Sequence, residues 1–181
     1  MARPKLKVTI EEGLRALDDL LVLSVQQRSV VSARQAEIDK IMLKKFAAKE
    51  TAIHGAFATR TAIQPLEDNE VDLFVHLDPA LGQRSTPGSL MDRVHELLLK
   101  YYPEAEIAAD RLAVLVKFPE VSFRVVPCFY QQAKGYVVAD AKNGKWIKTD
   151  PSVFYYALDE ANNKHKAILL PVIRIIKHWN R

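Results

Sequence analysis

Glu70 and Asp72 stand two positions apart at the head of an apolar, β-branched run, Val71 to Leu77. Side chains two apart on a strand share a face, so both carboxylates point the same way. Two acids held side by side can bind one or two Mg²⁺ ions, which neutralise a triphosphate, lower the pKa of an attacking hydroxyl and steady a leaving pyrophosphate. Upstream, Gly55 opens a turn whose short helical continuation through Ala58 and Arg60 can offer backbone N–H groups to phosphates. The stretch GAFATRTAIQPLEDNEVDLFVHL is therefore a metal and phosphate site in outline. Each part also has a plainer reading: an acidic pair before a strand is often a turn signal or a solvated edge, Thr61 can serve a loop hydrogen bond, and Arg60 can be an exposed turn residue.

The elements that must position these residues follow from caps and periodicity. Thr9 with Glu12 and Ser24 with Gln27 have capping-box spacing, which predicts two helix starts. The second helix keeps Val31, Ile38, Met42 and Phe46 on one apolar edge, a core pattern rather than a cofactor box. After the acidic strand, DPALGQRSTPGS reads as a loop, and Ser89 with Asp92 predicts a helix to about Tyr102. Arg111 to Phe118 and Val121 to Phe129 read as a hairpin joined at Pro119 and Glu120, lying beside the Asp72 strand. Gly135 to Pro151 reads as one short strand and a loop, and two helices close the chain. Helices followed by a mostly antiparallel sheet with returning helices make the fold class α+β.

These segments together carry a resemblance. GAFATRTAI, a short spacer and EVDLFV resemble the nucleotidyltransferase signature of a Gly-Ser turn, a Thr-Ala-Ile and an acidic-x-Asp strand. LSVQQRSVVSARQAEI before it, and FRVVPCF, WIKTDP and LLPVIRIIKHWNR after it, extend the likeness almost over the whole chain. The sequence is thereby identified as a member of the bacterial cyclic-oligonucleotide synthases, the CD-NTases, relatives of animal cyclic GMP-AMP synthase and oligoadenylate synthase. The resemblance implies a DNA polymerase β-like core with a mixed, mostly antiparallel sheet flanked by helices. It implies Glu70 and Asp72 as catalytic Mg²⁺ or Mn²⁺ ligands, ATP or another nucleoside triphosphate as substrate, and Gly55, Ala56, Thr61 and Lys177 as nucleotide or phosphate contacts. Lys177 earns its place from KHWN, since the Lys of the family's K-x-W-N segment faces the phosphates.

Two positions depart from the pattern. The third catalytic carboxylate is expected three residues before the Pro of VVP, where this chain has Arg124, and a guanidinium there can pair with Glu70 and Asp72 and fill the metal position. Ala56 stands where the turn usually carries a Ser. Glu120 shares the Arg124 face by period two but lies four residues away, roughly 13 Å along a strand, so it does not replace the missing acid.

Length and composition fit one compact domain: 181 residues, 49% hydrophobic, with one cysteine and a net charge of +4. A lone Cys128 permits no internal disulfide, which fits a reducing, cytoplasmic setting, and reads as a buried small apolar residue. No apolar run approaches the roughly 18 residues of a membrane span. The five histidines, His54, His76, His95, His165 and His178, lack zinc spacing. His76 shares the Asp72 face but lies deeper, as a satisfied interior histidine. Nothing after Glu160 is acidic, while Arg174, Lys177 and Arg181 form one helical stripe, which reads first as a solvated basic face. Val172, Ile173, Ile176 and Trp179 form an apolar face of the same helix, suited to a protein partner or a second copy.

The leading expectation is metal-dependent synthesis of a cyclic or linear oligonucleotide signal from nucleoside triphosphates, which in the family serves antiphage defence. The competing expectation is a nucleotide-binding or regulatory module that has lost turnover, as Arg124 and Ala56 suggest. A nucleic-acid-binding domain, resting on the basic stripe alone, is the third. The expected organisation is a single nucleotidyltransferase core over 1–181, without the C-terminal helical domain of the family.

Overall fold

A computed structural model describes residues 8–46, 48–131 and 135–181. The chain opens with α1 (Ile10–Leu21) and α2 (Val25–Lys45), capped by Thr9 and Ser24 through the two anticipated capping boxes. β1 (Ala48–His54), the one-turn α3 (Gly55–Ala58) and β2 (Glu70–Leu77) follow, then α4 (Pro79–Arg84) and α5 (Pro87–Tyr101). β3 (Glu106–Ala109), β4 (Val114–Lys117), β5 (Ser122–Gln131), β6 (Gly135–Asp140) and β7 (Lys145–Thr149) complete the strands, and α6 (Pro151–Lys164) and α7 (Leu169–Trp179) close the chain.

Among the described residues seven strands form one sheet in the order β1-β2-β5-β4-β3, with β6 pairing the later part of β5 and β7 pairing β6. Only β2 and β5 run parallel, and their register sets Asp72 opposite Arg124. Strand alternation sends Val71, Leu73, Val75 and Leu77 to one face, where they meet Val31, Ile38 and Met42 of α2 and Leu90, Val94 and Leu98 of α5. The opposite face carries Glu70 and Asp72 at its open end. Deeper in, Phe74, Val126, Cys128, Tyr136 and Val138 pack into a second apolar cluster. The fold is α+β with a mostly antiparallel sheet, and the core edge of α2 is the one its periodicity predicts.

Several boundaries differ from the sequence reading. The helix expected from Ser89 begins one turn earlier: Thr86 is its cap, accepting from the Ser89 N–H, and Pro87 sits where a missing N–H costs nothing. The supposed loop after β2 contains α4, capped by Asp78 ahead of Pro79 in the same manner. Arg111 to Ala113 turn instead of extending, because the Asp110 N–H bonds the Ala113 carbonyl at 2.8 Å and the Arg111 side chain is drawn to Asp140 at 2.6 Å. β1, β3 and β7 were not legible as strands. They lie toward the sheet's margins with half-exposed side chains, so no run of apolar residues marks them.

Cys128 is fully buried, and burial pushes its thiol well above the ordinary range, as expected of an inert core residue. His76 is also interior, but only half satisfied: Nδ1 lies 2.7 Å from Glu50 Oε1 while Nε2 is buried without a partner. Among the described residues no helix is long and apolar enough to cross a membrane.

Candidate functional site

The site begins at the junction of β1, α3 and β2. His54 pairs with Asp72 across the β1–β2 ladder, so the chain leaves β1 directly over the acidic pair. Gly55 makes the turn with φ +65°, in the left-handed region, and an added Cβ would lie 2.1 Å from Asp72 Oδ2. Glycine is thus required twice, for the backbone and for the close approach of the carboxylate. Thr59 ties the turn down by donating its hydroxyl to the Gly55 carbonyl at 2.9 Å. The Ala56 carbonyl accepts from the N–H groups of Thr61 and Ala62 at 2.8 and 3.1 Å.

Glu70 and Asp72 do share a face, and Arg124 on the neighbouring strand reaches both. Its Nη1 is 3.6 Å from Glu70 Oε2, its Nε 3.4 Å from Asp72 Oδ1, and its Nη2 3.1 Å from Asp110 Oδ2. Nε is buried and lacks the alignment of a hydrogen bond, so its contact with Asp72 is an ion pair in the looser sense. The Asp72 carboxyl lies above the ordinary carboxylate range because burial disfavours its charge; Arg124 opposes that shift and Glu70 adds to it. Asp110 was not expected from the sequence. It sits in the turn between β3 and β4, and only the pairing of Leu115 with Arg124 across β4 and β5 brings that turn to the site. Spacing in the sequence carries no signal for it.

A divalent ion needs oxygen ligands at about 2.1 Å and an approach free of like charge. Here the guanidinium already stands among the oxygens, and among the described residues no group of three or more His, Cys, Asp or Glu side chains is placed to hold a metal ion. With Arg124 in this position the donor set does not fit a divalent cation.

The second half of the site comes from the C-terminal helix, and it corrects the solvated-stripe reading. Arg174 is buried, and its Nε and Nη2 donate to the two oxygens of Asp18 at 2.6 and 2.7 Å while Nη1 donates to the Arg60 carbonyl at 2.7 Å. Lys177 donates to the Thr61 hydroxyl at 3.0 Å and to the Thr61 carbonyl at 3.1 Å. Arg181 donates to the Gln64 carbonyl at 2.8 Å and pairs with Asp68 at 3.4 Å. The stripe therefore faces inward and reads the backbone of the loop that follows the glycine turn. The solvated basic face expected of this helix is therefore not present at Arg174, which is buried. Thr61 is buried, with its hydroxyl 3.0 Å from that of Thr59, so Lys177, Thr61, Thr59 and Gly55 form one connected chain of hydrogen bonds. Burial holds the Lys177 ammonium below the ordinary lysine range, with Arg181 adding to the effect. Arg60 is exposed and pairs with Asp159 at 3.5 Å.

Beside the turn is a cavity of about 400 Å³ lined by His54, Gly55, Thr59, Tyr136, Ser152 and Tyr155 among others. Its size and its mixture of aromatic rings with a few polar groups suit a nucleoside.

A parallel strand pair bearing an acid pair behind a glycine turn, closed by a lysine from a returning helix, is a nucleotidyltransferase core. The chain belongs to the CD-NTase family: residues 9–162 match the Second Messenger Oligonucleotide or Dinucleotide Synthetase domain. It is 22% identical to the cyclic AMP-AMP-AMP synthase of Acinetobacter sp. (strain ATCC 27244 / 9458), covering 100% of this chain and 54% of that protein. It is 27% identical to a probable cyclic nucleotide synthase of Bacillus cereus (strain VD146), covering 76% of this chain and 51% of that protein. The chain thus spans about half the length of the curated relatives it matches. In fold it is similar to a STING-associated CdnE c-di-GMP synthase from Capnocytophaga granulosa, with a TM-score of 0.73, 13% identity and coverage of 97% of this chain and 59% of that one. It is also similar to the Bradyrhizobium diazoefficiens CD-NTase CdnG in complex with GTP, with a TM-score of 0.69, 12% identity and coverage of 83% and 46%.

Proposed function

We propose that this chain is a nucleotide-binding core of the CD-NTase kind, taking a nucleoside triphosphate beside the Gly55 turn without turning it over while Arg124 is seated. The observation that carries the reading is Arg124 itself, 3.4 and 3.6 Å from the two acids that the family uses for metal. The phosphates are assigned to the Gly55 and Ala56 end of the turn and to Lys177. Two of the three Lys177 donors are spent on Thr61, which leaves one for a ligand and fixes where it points. The nucleoside is assigned to the cavity lined by His54 and Tyr136.

A second reading, synthesis of a cyclic or linear oligonucleotide from nucleoside triphosphates with Mg²⁺ or Mn²⁺, is favoured by the family match and by the synthase relatives. Under it the role is signalling in bacterial antiphage defence. Val172, Ile176 and Trp179, all exposed, are in either case the surface assigned to a protein partner or second copy.

Calorimetric titration with each nucleoside triphosphate, followed by incubation with Mg²⁺ and then Mn²⁺, separates the two. Binding without product supports the first reading. A product that disappears in a Glu70→Ala, Asp72→Ala double variant establishes the second, and absence of binding removes both.

A further inference from the structure

A second cavity of about 400 Å³ opens where the start of α2, the loop after the glycine turn and the α6–α7 connection meet, and it shares no lining residue with the cavity beside Gly55. The guanidiniums of Arg28, Arg60 and Arg174 line it, over an apolar floor that includes Leu23, Phe57 and Leu170. Among the described residues no carboxylate lines it.

The polar groups of this wall are fixed in place with donors to spare. Arg174 is only 9% exposed and spends three of the five N–H donors of its guanidinium, two on Asp18 and one on the Arg60 carbonyl. Asn162, also lining the cavity, is 4% exposed; its Oδ1 accepts the Leu170 N–H at 3.2 Å, while its Nδ2 has no hydrogen-bond partner among the described residues. A donor left unmade in so buried a residue is costly, and an acceptor seated in the cavity satisfies it. Arg28 donates to the Leu23 carbonyl and pairs with no acid among the described residues. Asp18 balances Arg174 and Asp159 balances Arg60, so Arg28 leaves one positive charge over. The rim is also strained: Arg60 and Ala167 have left-handed backbone, with φ 58° and 61°, although neither is glycine. Such strain persists where contacts over-determine it, and here Arg174 holds the Arg60 carbonyl while the Ala167 N–H donates to the Asn162 carbonyl at 2.8 Å.

We infer that this cavity is a binding site for a small organic oxyanion, a carboxylate or a phosphomonoester on an apolar body, with its charged end among Arg28, Arg60, Arg174 and the Asn162 amide. A mostly apolar cavity with a few convergent polar groups has the form of a small-molecule site. A planar guanidinium engages carboxylate and phosphate oxygens in the same two-pronged way, so the wall selects the oxyanion and not its central atom. Charge sets the upper limit, because a surplus of one suits a ligand with one or two negative charges and not a triphosphate. The floor requires the apolar body, since a bare hydrated ion would leave the Phe57 side of the cavity in water. The site therefore differs from the nucleotide turn in chemistry as well as in place, and does not depend on the reading of that turn.

The test is titration of the nitrogen-labelled chain with phenyl phosphate, benzoate and inorganic phosphate, read at the arginine side-chain Nε–H resonances. Phenyl phosphate or benzoate is expected to shift the Arg28, Arg60 and Arg174 signals saturably, and the tighter of the two identifies the phosphomonoester or the carboxylate as the natural class. Inorganic phosphate is expected to bind at least fivefold more weakly than the better of them. Arg28→Gln and Asn162→Asp, the latter keeping the acceptor for Leu170 while replacing the donor with a carboxylate, are each expected to weaken binding by about tenfold or more. Lys177→Met is expected to leave it unchanged. No saturable shift with either organic probe overturns the inference, as does inorganic phosphate binding as tightly as both. Loss of binding in Lys177→Met with none in Arg28→Gln also overturns it, by placing the anion at the nucleotide turn. If circular dichroism shows that Asn162→Asp does not fold, the exposed Arg28→Gln decides alone.

Discussion

Gly55 lies against Asp72 so closely that a single added carbon would stand 2.1 Å from the carboxylate oxygen. The turn and the acid are therefore one object: the backbone can pass over β2 only where no side chain projects. Gly55→Ala is expected to destabilise the fold by about 1–3 kcal/mol for the left-handed backbone alone, and by more because Asp72 must move. Gly144 provides the control, with φ +63° and open space around its would-be Cβ. Gly144→Ala is expected to cost only the backbone part. Urea unfolding of the two variants checks the difference, and equal losses would show that the Asp72 contact adds nothing.

Burial of Asp72 works against stability at neutral pH. Burial raises its pKa, so between the ordinary aspartate value and the raised one the folded chain binds a proton that the unfolded chain has released. Stability from this group therefore falls as pH rises through that window and stays low above it. Asp72→Asn is expected to melt at a higher temperature than wild type at neutral pH, with the gap narrowing as pH falls through the window. Arg124 keeps Glu70 and Asp110 in the variant, so the guanidinium is not stranded. Melting curves from pH 3 to 8 would read the trend, and a gap that does not change with pH would refute it.

What the sequence discloses and what it hides divide along the distance between interacting residues. Capping boxes at Thr9 and Ser24, the apolar edge of α2 and the shared face of Glu70 and Asp72 are local, set by neighbours a few positions away, and they are all present. Asp110 reaches Arg124 only because β4 pairs with β5, and Arg174 reaches Asp18 across almost the full chain. The basic stripe of α7 shows the limit most clearly. Periodicity places Arg174, Lys177 and Arg181 on one face, but only the packing of α7 decides whether that face meets water or the carbonyl groups of residues 60–64. β1 and β7 fail for another reason: with half-exposed marginal positions, they carry no alternation strong enough to declare a strand.

Arg174 and Asp18 form a two-pronged pair with side chains only 10% and 12% exposed. Together with the bond from Arg174 to the Arg60 carbonyl, the pair clamps α1 and α7 onto the end of the glycine turn. Breaking a buried pair leaves one charge uncompensated, so Arg174→Met alone is expected to cost about 3–5 kcal/mol. Adding Asp18→Leu removes the stranded charge and is expected to recover most of that loss. Guanidinium denaturation of both variants measures it. Recovery in the double variant would show that the pair fixes geometry more than it supplies stability, whereas an additive second loss would contradict the prediction.

Lys177 carries the last prediction, because the ammonium proposed to hold phosphate is one whose proton burial makes easier to lose. Its ammonium is desolvated and lies near Arg181, which lowers its pKa from the ordinary lysine value. Nucleoside triphosphate affinity is therefore expected to fall as pH rises through that lowered value, earlier than an exposed lysine would allow. Lys177→Met removes a charge-assisted contact worth about 1.5–3 kcal/mol, a loss of roughly tenfold to a hundredfold in affinity, and the alkaline fall should vanish with it. Thr61→Val offers a separate check: it removes the hydroxyl that receives one Lys177 N–H at 3.0 Å, so the ammonium is less well aimed and affinity drops by a smaller factor while the pH dependence remains. Titration calorimetry from pH 7 to 10 on wild type and both variants distinguishes the two effects. A Lys177→Met chain that binds with unchanged affinity would place the phosphates elsewhere on the turn.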